Sequence, residues 1–392
     1  MTRLVQHCLL LLTLLSLHID FASAAMQQFK EWYPEWGFIF ARILEEKCQK
    51  EYQLYLDGIT PGTKSYEKAH WLGAGPRSAS VVPLVDCIVD ESSEYQKSGM
   101  AAANVVLGLT PAILAALGST VDETSLLYIF GRRPVLGFLL SAGSPGVPPR
   151  PLFEYRKFSE LQEKRPGRLN IPPLAFRWEA LIWIAEHLIA VGSIINVAQL
   201  GYQLGSRVIM VFAPELTSLI LLWLFLGTVG HMLAAFALHL RVKINDPHIG
   251  EPGTWFKSWI APWEAGEQTE FTVKHETLLY TCFSGFISLL ITAHIIFGTL
   301  VFSSALFISV RDCLPVVGRL IGSVIACRMV LMYELSRLRR LCQGRDGKAP
   351  LYAITLPEEG DQDRSVESGS STELYELTRT GTDSSTKPLI YR

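Results

Sequence analysis

Several signatures are missing from this 392-residue chain, and each absence narrows what it can do. Positive charge is not in surplus: 35 Lys and Arg stand against 37 Asp and Glu, a net charge of -2, which argues against a nucleic-acid surface. No Asn-x-Ser/Thr sequon occurs, so N-glycosylation is not expected. HExxH, GxSxG, P-loop and GxGxxG patterns are all absent, and the nearest acid and imidazole, Glu186 and His187, point about 100° apart on a helix. No long apolar run carries two metal ligands at i and i+4; His231 and His239 are eight apart, about 80° out of alignment. The expectation is therefore a protein that is not an enzyme, with no metal or cofactor.

What the chain does have is five long apolar runs, at 99–119, 178–200, 215–240, 278–302 and 314–335. Each approaches the roughly 20 residues that cross a hydrocarbon core as a helix, so the expected fold is an all-α, five-span transmembrane bundle. Residues 1–24 read as a cleaved secretory signal: Arg3, an apolar run from Cys8 to Leu17, then Ala22-Ser23-Ala24. That start places 25–98 on the luminal or extracellular side. The positive-inside rule gives the same topology independently. The predicted cytosolic loop 120–177 holds Arg132, Arg133, Arg150, Arg156, Lys157, Lys164, Arg165, Arg168 and Arg177, whereas the two short outside loops hold only Arg207 and Arg311. A multipass protein of the plasma membrane or endomembranes follows.

The outside segment is too short to bury much surface by itself. Cys48 and Cys87 lie in it, and in an oxidising lumen their pairing would close a loop of about 40 residues and add roughly 3 to 4 kcal/mol.

The most distinctive stretch is LTPAILAALGSTVDETSLLYIFGRRPVLGFLLSAGSPGVPPRP, residues 109–151. Pro111 can kink the first span, Asp122 and Glu123 cap a following apolar run, and Arg132-Arg133-Pro134 splits that run into halves too short to cross. An arginine pair at the bilayer centre would cost several kcal/mol, so 125–146 belongs along the cytosolic interface or tucked against the bundle. This stretch resembles an ascomycete-fungal group of uncharacterised multipass membrane proteins, in which a leader, a first span, a similar LTP…LG…E…L…RRP run and a GSP turn recur. The resemblance covers most of the membrane region, is strongest over 107–147, and implies no known activity.

Pro148, Pro149 and Pro151 open a charged linker whose basic residues suit anionic lipids beside the inner leaflet. In the Trp-rich loop 241–277, Trp255, Trp259 and Trp263 have the spacing of an interfacial anchor, although Pro262 interrupts it. A juxtamembrane Arg cluster with Cys342, a palmitoylation candidate, opens the tail 336–392; from Gln343 that tail reads as disordered, open to phosphorylation and to protein partners.

Ionisable residues inside the spans are functional-site candidates. Counted at 1.5 Å per residue, Glu186 and His187 in the second span, His231 in the third and Arg328 in the fifth all lie about 10 to 13 Å from the inner side, forming one polar layer. His231 shares a face with Gly227, Thr228, Ala234 and Ala235 and should point inward. In the fourth span Thr281, Ser288, Thr292, Thr299 and Ser303 form one stripe, with His294 about 140° from Thr281 and a poor member of a shared site. Gly318 and Gly322 form a GxxxG with Ile325 and Met329 on the same face, and Arg319 is placed to pair with Glu215. Two readings of the layer compete. A Glu186–Arg328 ion pair would join spans two and five, as expected of a structural, sensor or adaptor protein; a proton or cation relay through Glu186, His187 and His231 would mark a transporter or channel subunit. Arg328 could instead snorkel to the headgroups.

Overall fold

The computed structural model describes residues 28–150, 178–245, 269–343 and 352–355. The residues read as a signal sequence, the three tryptophans Trp255, Trp259 and Trp263, the charged linker from 151 to 177 and the tail beyond Thr355 lie outside them.

Four short helices open the described residues: α1 (Gly37–Glu46), α2 (Gln49–Asp57), α3 (Lys64–Trp71) and α4 (Val82–Glu91). Their apolar positions recur one turn apart, so Phe40 and Leu44 of α1 meet Leu84 and Ile88 of α4 in one buried cluster. The Cys48–Cys87 disulfide is present and ties the α1–α2 junction to α4. This core is not self-contained. It is completed by Met100 of the first long helix and by Ile209 and Phe307 from the connections between later ones, and the Phe307 ring stands 5.4 Å from Trp32 and 5.2 Å from Phe40. Borrowed surface is how so small a segment acquires a core.

Among the described residues five helices are long and apolar enough to cross a membrane: α5 (Glu94–Leu117), then, after two shorter helices, α8 (Glu179–Arg207), α9 (Leu219–Arg241), α10 (Leu278–Ser303) and α11 (Val310–Gln343). Mean hydropathy over their most apolar 18 residues runs from 1.7 to 2.1. A capping box between Ser93 and Gln96 starts α5. Helix α5 packs on α10 and α11, α9 on α10, and α8 on α11. The last helix runs well beyond 314–335 at both ends.

The two shorter helices are α6 (Val121–Ile129) and α7 (Pro134–Gly143). Thr120 and Glu123 close a capping box that starts α6, Arg132 takes a left-handed φ of 52° at the turn, and Pro134 suits the first turn of α7. Both helices are tucked against the bundle: Leu127, Phe130, Leu136 and Leu140 are buried with Ala190, Leu238, Cys327 and Leu331. The hairpin starts and ends near mid-bundle. Thr124 contacts His231 halfway along α9, and Gly143 abuts Ser193 and Cys327, each well inside its helix. Residues 144–147 continue in non-helical, buried conformation.

Strands are short. The pair β1 (Ile209–Met210) and β4 (Ala305–Leu306) is antiparallel at one end of the bundle. At the other end, β2 (Val242–Asn245) pairs antiparallel with β3 (Thr269–Val273), and β5 (Tyr352–Thr355) joins β3 in parallel. This sheet corrects the expectation that order ends at Gln343: Ile354 and Phe271 are buried with Leu335 and Leu338 of α11, so the YAIT segment has both a ladder and an apolar face to occupy.

Candidate functional site

Arg133, at the tip of the α6–α7 hairpin, lies between α8 and α11. Its Nη1 donates to Glu186 Oε2 at 2.8 Å and stands 2.6 Å from Glu334 Oε1, with all three side chains about 95% buried. One guanidinium thus meets two carboxylates from two different long helices. Arg337, one turn along α11, adds a longer contact to Glu334 at 3.9 Å. Two guanidinium groups thus face two carboxyl groups, and this pairing offsets the cost of desolvating them. Beside the triad a small polar cleft of about 30 Å³ is lined by Glu179, Ile182, Trp183 and Glu186 of α8 and by Tyr333, Arg337 and Arg340 of α11.

A second polar layer surrounds the break between α5 and α6. Gly118 and Gly146 cross there so closely that a Cβ on Gly118 would lie 1.8 Å from the Gly146 carbonyl oxygen, and one on Gly146 would lie 2.2 Å from that of Leu114. The Arg328 guanidinium donates to the Gly118 carbonyl, at the negative end of α5, and stands 3.7 Å from Glu123 at the start of α6. Arg150 pairs with Asp122 at 3.2 Å. His231 Nδ1 is 2.7 Å from Thr124 Oγ1, and His294 Nε2 donates to the Pro145 carbonyl at 3.3 Å. The His294 ring stacks on Trp223 with centroids 5.1 Å apart and also lies against Gly227, one turn from His231.

The expected single layer is therefore two. Glu186 does not meet Arg328: it pairs with Arg133, and Arg328 serves the α5–α6 break. On α11 the six residues from Arg328 to Glu334 rotate the helix by about 240° and advance it about 9 Å, so the face that meets Glu186 cannot also carry Arg328. His187 turns back on its own helix, with Nδ1 2.8 Å from the Trp183 carbonyl. His231 is buried as its small-residue face implied. His294, expected to stand apart from the Thr/Ser stripe of its helix, is itself buried, while Thr292, Thr299 and Ser303 of that stripe face outward. Thr292 and Ser303 can do so because their hydroxyls donate to carbonyls of their own helix. Arg319 does not take Glu215. It donates instead to Asn196, Gln199 and Gln203, three acceptors on one face of α8. The Gly318–Gly322 face has open space where close helix approach was expected.

Sequence reading missed Arg133, Glu334 and Glu123 as partners. A signal existed, since Arg133 inside an apolar run demands counter-charges, and Glu334 lies one turn from the basic cluster. No family model matches the chain, and no curated protein or solved structure matches it either.

Proposed function

We propose that the chain is a non-catalytic multipass membrane scaffold of the sensor or adaptor kind, with its N-terminal helices on the luminal side and its tail in the cytosol, related to the fungal group it resembles. The observation that carries this reading is Arg133 bridging Glu186 and Glu334: ionisable groups that would mark a transport path in the sequence are spent on joining the hairpin to two long helices. A transporter or channel subunit is the second reading. It is favoured by the broken α5–α6 helix and the buried non-helical residues 144–147, since interrupted helices at mid-membrane are where transporters bind their cargo. Against it, the break is filled by the chain's own Arg328 and Glu123.

The test replaces the triad with apolar residues of similar volume, Arg133→Met, Glu186→Leu and Glu334→Leu together, in the native host. A scaffold retains its abundance, its localisation and the proteins biotinylated by a proximity label on its tail. Normal abundance with loss of an ion- or pH-dependent growth phenotype would reject the scaffold reading in favour of transport.

A further inference from the structure

The seam between α8 and α11 holds another arginine, and among the described residues this one pairs with no carboxylate. Arg319 is partly buried and donates from Nε to Asn196 Oδ1 at 2.8 Å, from Nη1 to Gln203 Oε1 at 3.0 Å, and from Nη2 to the Asn196 carbonyl at 3.2 Å and Gln199 Oε1 at 3.1 Å. All of these acceptors are neutral. A guanidinium has five N–H groups, so one on Nη1 is left over. The acid nearest to it along α11, Asp312, lies two turns away and is taken by the Ser309 hydroxyl and the Glu35 N–H. Its partners on α8 run from Asn196 to Gln203, which sets the guanidinium about 11 Å along the axis from Arg207 at the helix end. Held by three residues at that depth, it is not free to reach the outer headgroups, and a cation inside hydrocarbon calls for a counter-charge.

The space beside it is open. Helix α8 is the least covered of the five long helices, with 22% of its most apolar stretch buried against 44 to 56% in the others. Gly192, Ile195 and Gln199 are exposed on it, as are Gly318, Gly322 and Ile325 on α11. The two helices run antiparallel, since Asn196 meets Arg319 and Ser323 while Glu186 shares Arg133 with Glu334. At 100° per residue both exposed sets then fall on the same side of the seam, with Arg319 between them. A Cβ added to Gly192, Gly318 or Gly322 would meet nothing within 4 Å, so the helices leave a shallow groove there.

The occupant of this groove has to bring a negative charge to the level of Arg319. An acyl chain fits the shape but carries no charge at that depth. A second copy of this chain brings none either: the acids of its long helices are Glu94 and Glu179 in first turns, Asp312 near the outer end, and Glu186 and Glu334, which Arg133 holds inside. A helix of another protein, crossing the same leaflet with one Asp or Glu toward the seam, supplies both shape and charge.

We propose that the α8–α11 groove docks a transmembrane helix of a partner protein that carries a carboxylate at the level of Arg319. The proposal rests on the membrane placement of the bundle and gives the adaptor reading a class of partner; it makes no use of the Arg133 triad.

The experiment reconstitutes the full chain in phosphatidylcholine vesicles and measures energy transfer to three synthetic Leu/Ala transmembrane peptides with Lys at both ends. They differ only in one residue about 11 Å from the outer end, which is Glu, Gln or Lys. The expected result at neutral pH is an apparent Kd about tenfold lower for the Glu peptide than for either of the others, the scale of one charge-assisted hydrogen bond. Arg319→Gln removes that difference. Because Arg319 also ties α11 to α8, Gly322→Leu is the companion variant: its side chain enters open space, so the fold is kept while all three peptides bind more weakly. Equal binding of the three peptides by the wild type would overturn the proposal, and so would a Glu preference that survives Arg319→Gln or binding unchanged in Gly322→Leu. Loss of the preference when phosphatidylglycerol is added would reject the partner helix and assign the groove to an anionic lipid. Energy transfer between differently labelled copies of the chain that disappears in Gly322→Leu would reject it in favour of a self-interface. Arg133 takes part in none of these measurements, so failure here is distinct from failure of the scaffold test.

Discussion

Arg133 illustrates how one residue can be a liability in the sequence and a lock in the fold. Buried alone, its charge would cost several kcal/mol; held between Glu186 and Glu334, it fixes the tip of the hairpin, while Thr124 and Glu123 anchor its first helix. Arg133→Met alone should destabilise the protein by about 3 to 5 kcal/mol in detergent, because it strands two buried carboxylates. Adding Glu186→Leu and Glu334→Leu should recover most of that loss. A triple variant as unstable as the single one would show that the triad does not act as a unit. The same measurement separates the two layers: Glu186→Gln and Arg328→Met should be additive, since the residues share no partner. The cost of Arg133 was legible in the sequence, but its partners were not. Depth can be counted along a helix that spans, not along a hairpin whose insertion is unknown, and Glu334 lay one residue from the expected end of its run.

At the scale of elements, the long helices were legible because 20 apolar residues have few other uses, whereas the α6–α7 hairpin was not, because short apolar halves suit an interface and a bundle interior equally. The crossing of Gly118 and Gly146 decides between them. Two backbones in contact leave no room for a side chain, so each glycine is required by its neighbour's carbonyl rather than by its own φ. Gly118→Ala and Gly146→Ala should each lower the melting temperature sharply, since the atoms met are backbone and cannot rotate away. Gly192→Ala is the control, with nothing within 4 Å of the added methyl, and should be near neutral. Equal tolerance at all three positions would mean that the hairpin does not cross the break.

For the molecule as a whole, the apolar surface is shared across boundaries that the sequence suggests are separate. The N-terminal helices lean on Met100, Ile209 and Phe307, and Glu31 reaches Arg207 at 2.9 Å, so only the Cys48–Cys87 bridge was readable from that segment alone. At the opposite end, composition marked everything after Gln343 as tail, because Gly, Ser and acidic residues outweigh the four residues of β5. Those four pair with β3 and put Ile354 over Phe271 and the last turns of α11. A chain ending at Thr355 should therefore melt with the full-length protein, while one ending at Gln343 should lose about 2 to 3 kcal/mol, the burial of one large aliphatic side chain plus a strand edge left open. Thermal unfolding of the two truncations in one detergent compares them directly. If both melt alike, β5 contributes nothing to the fold, and the sheet is two strands that a tail happens to cross.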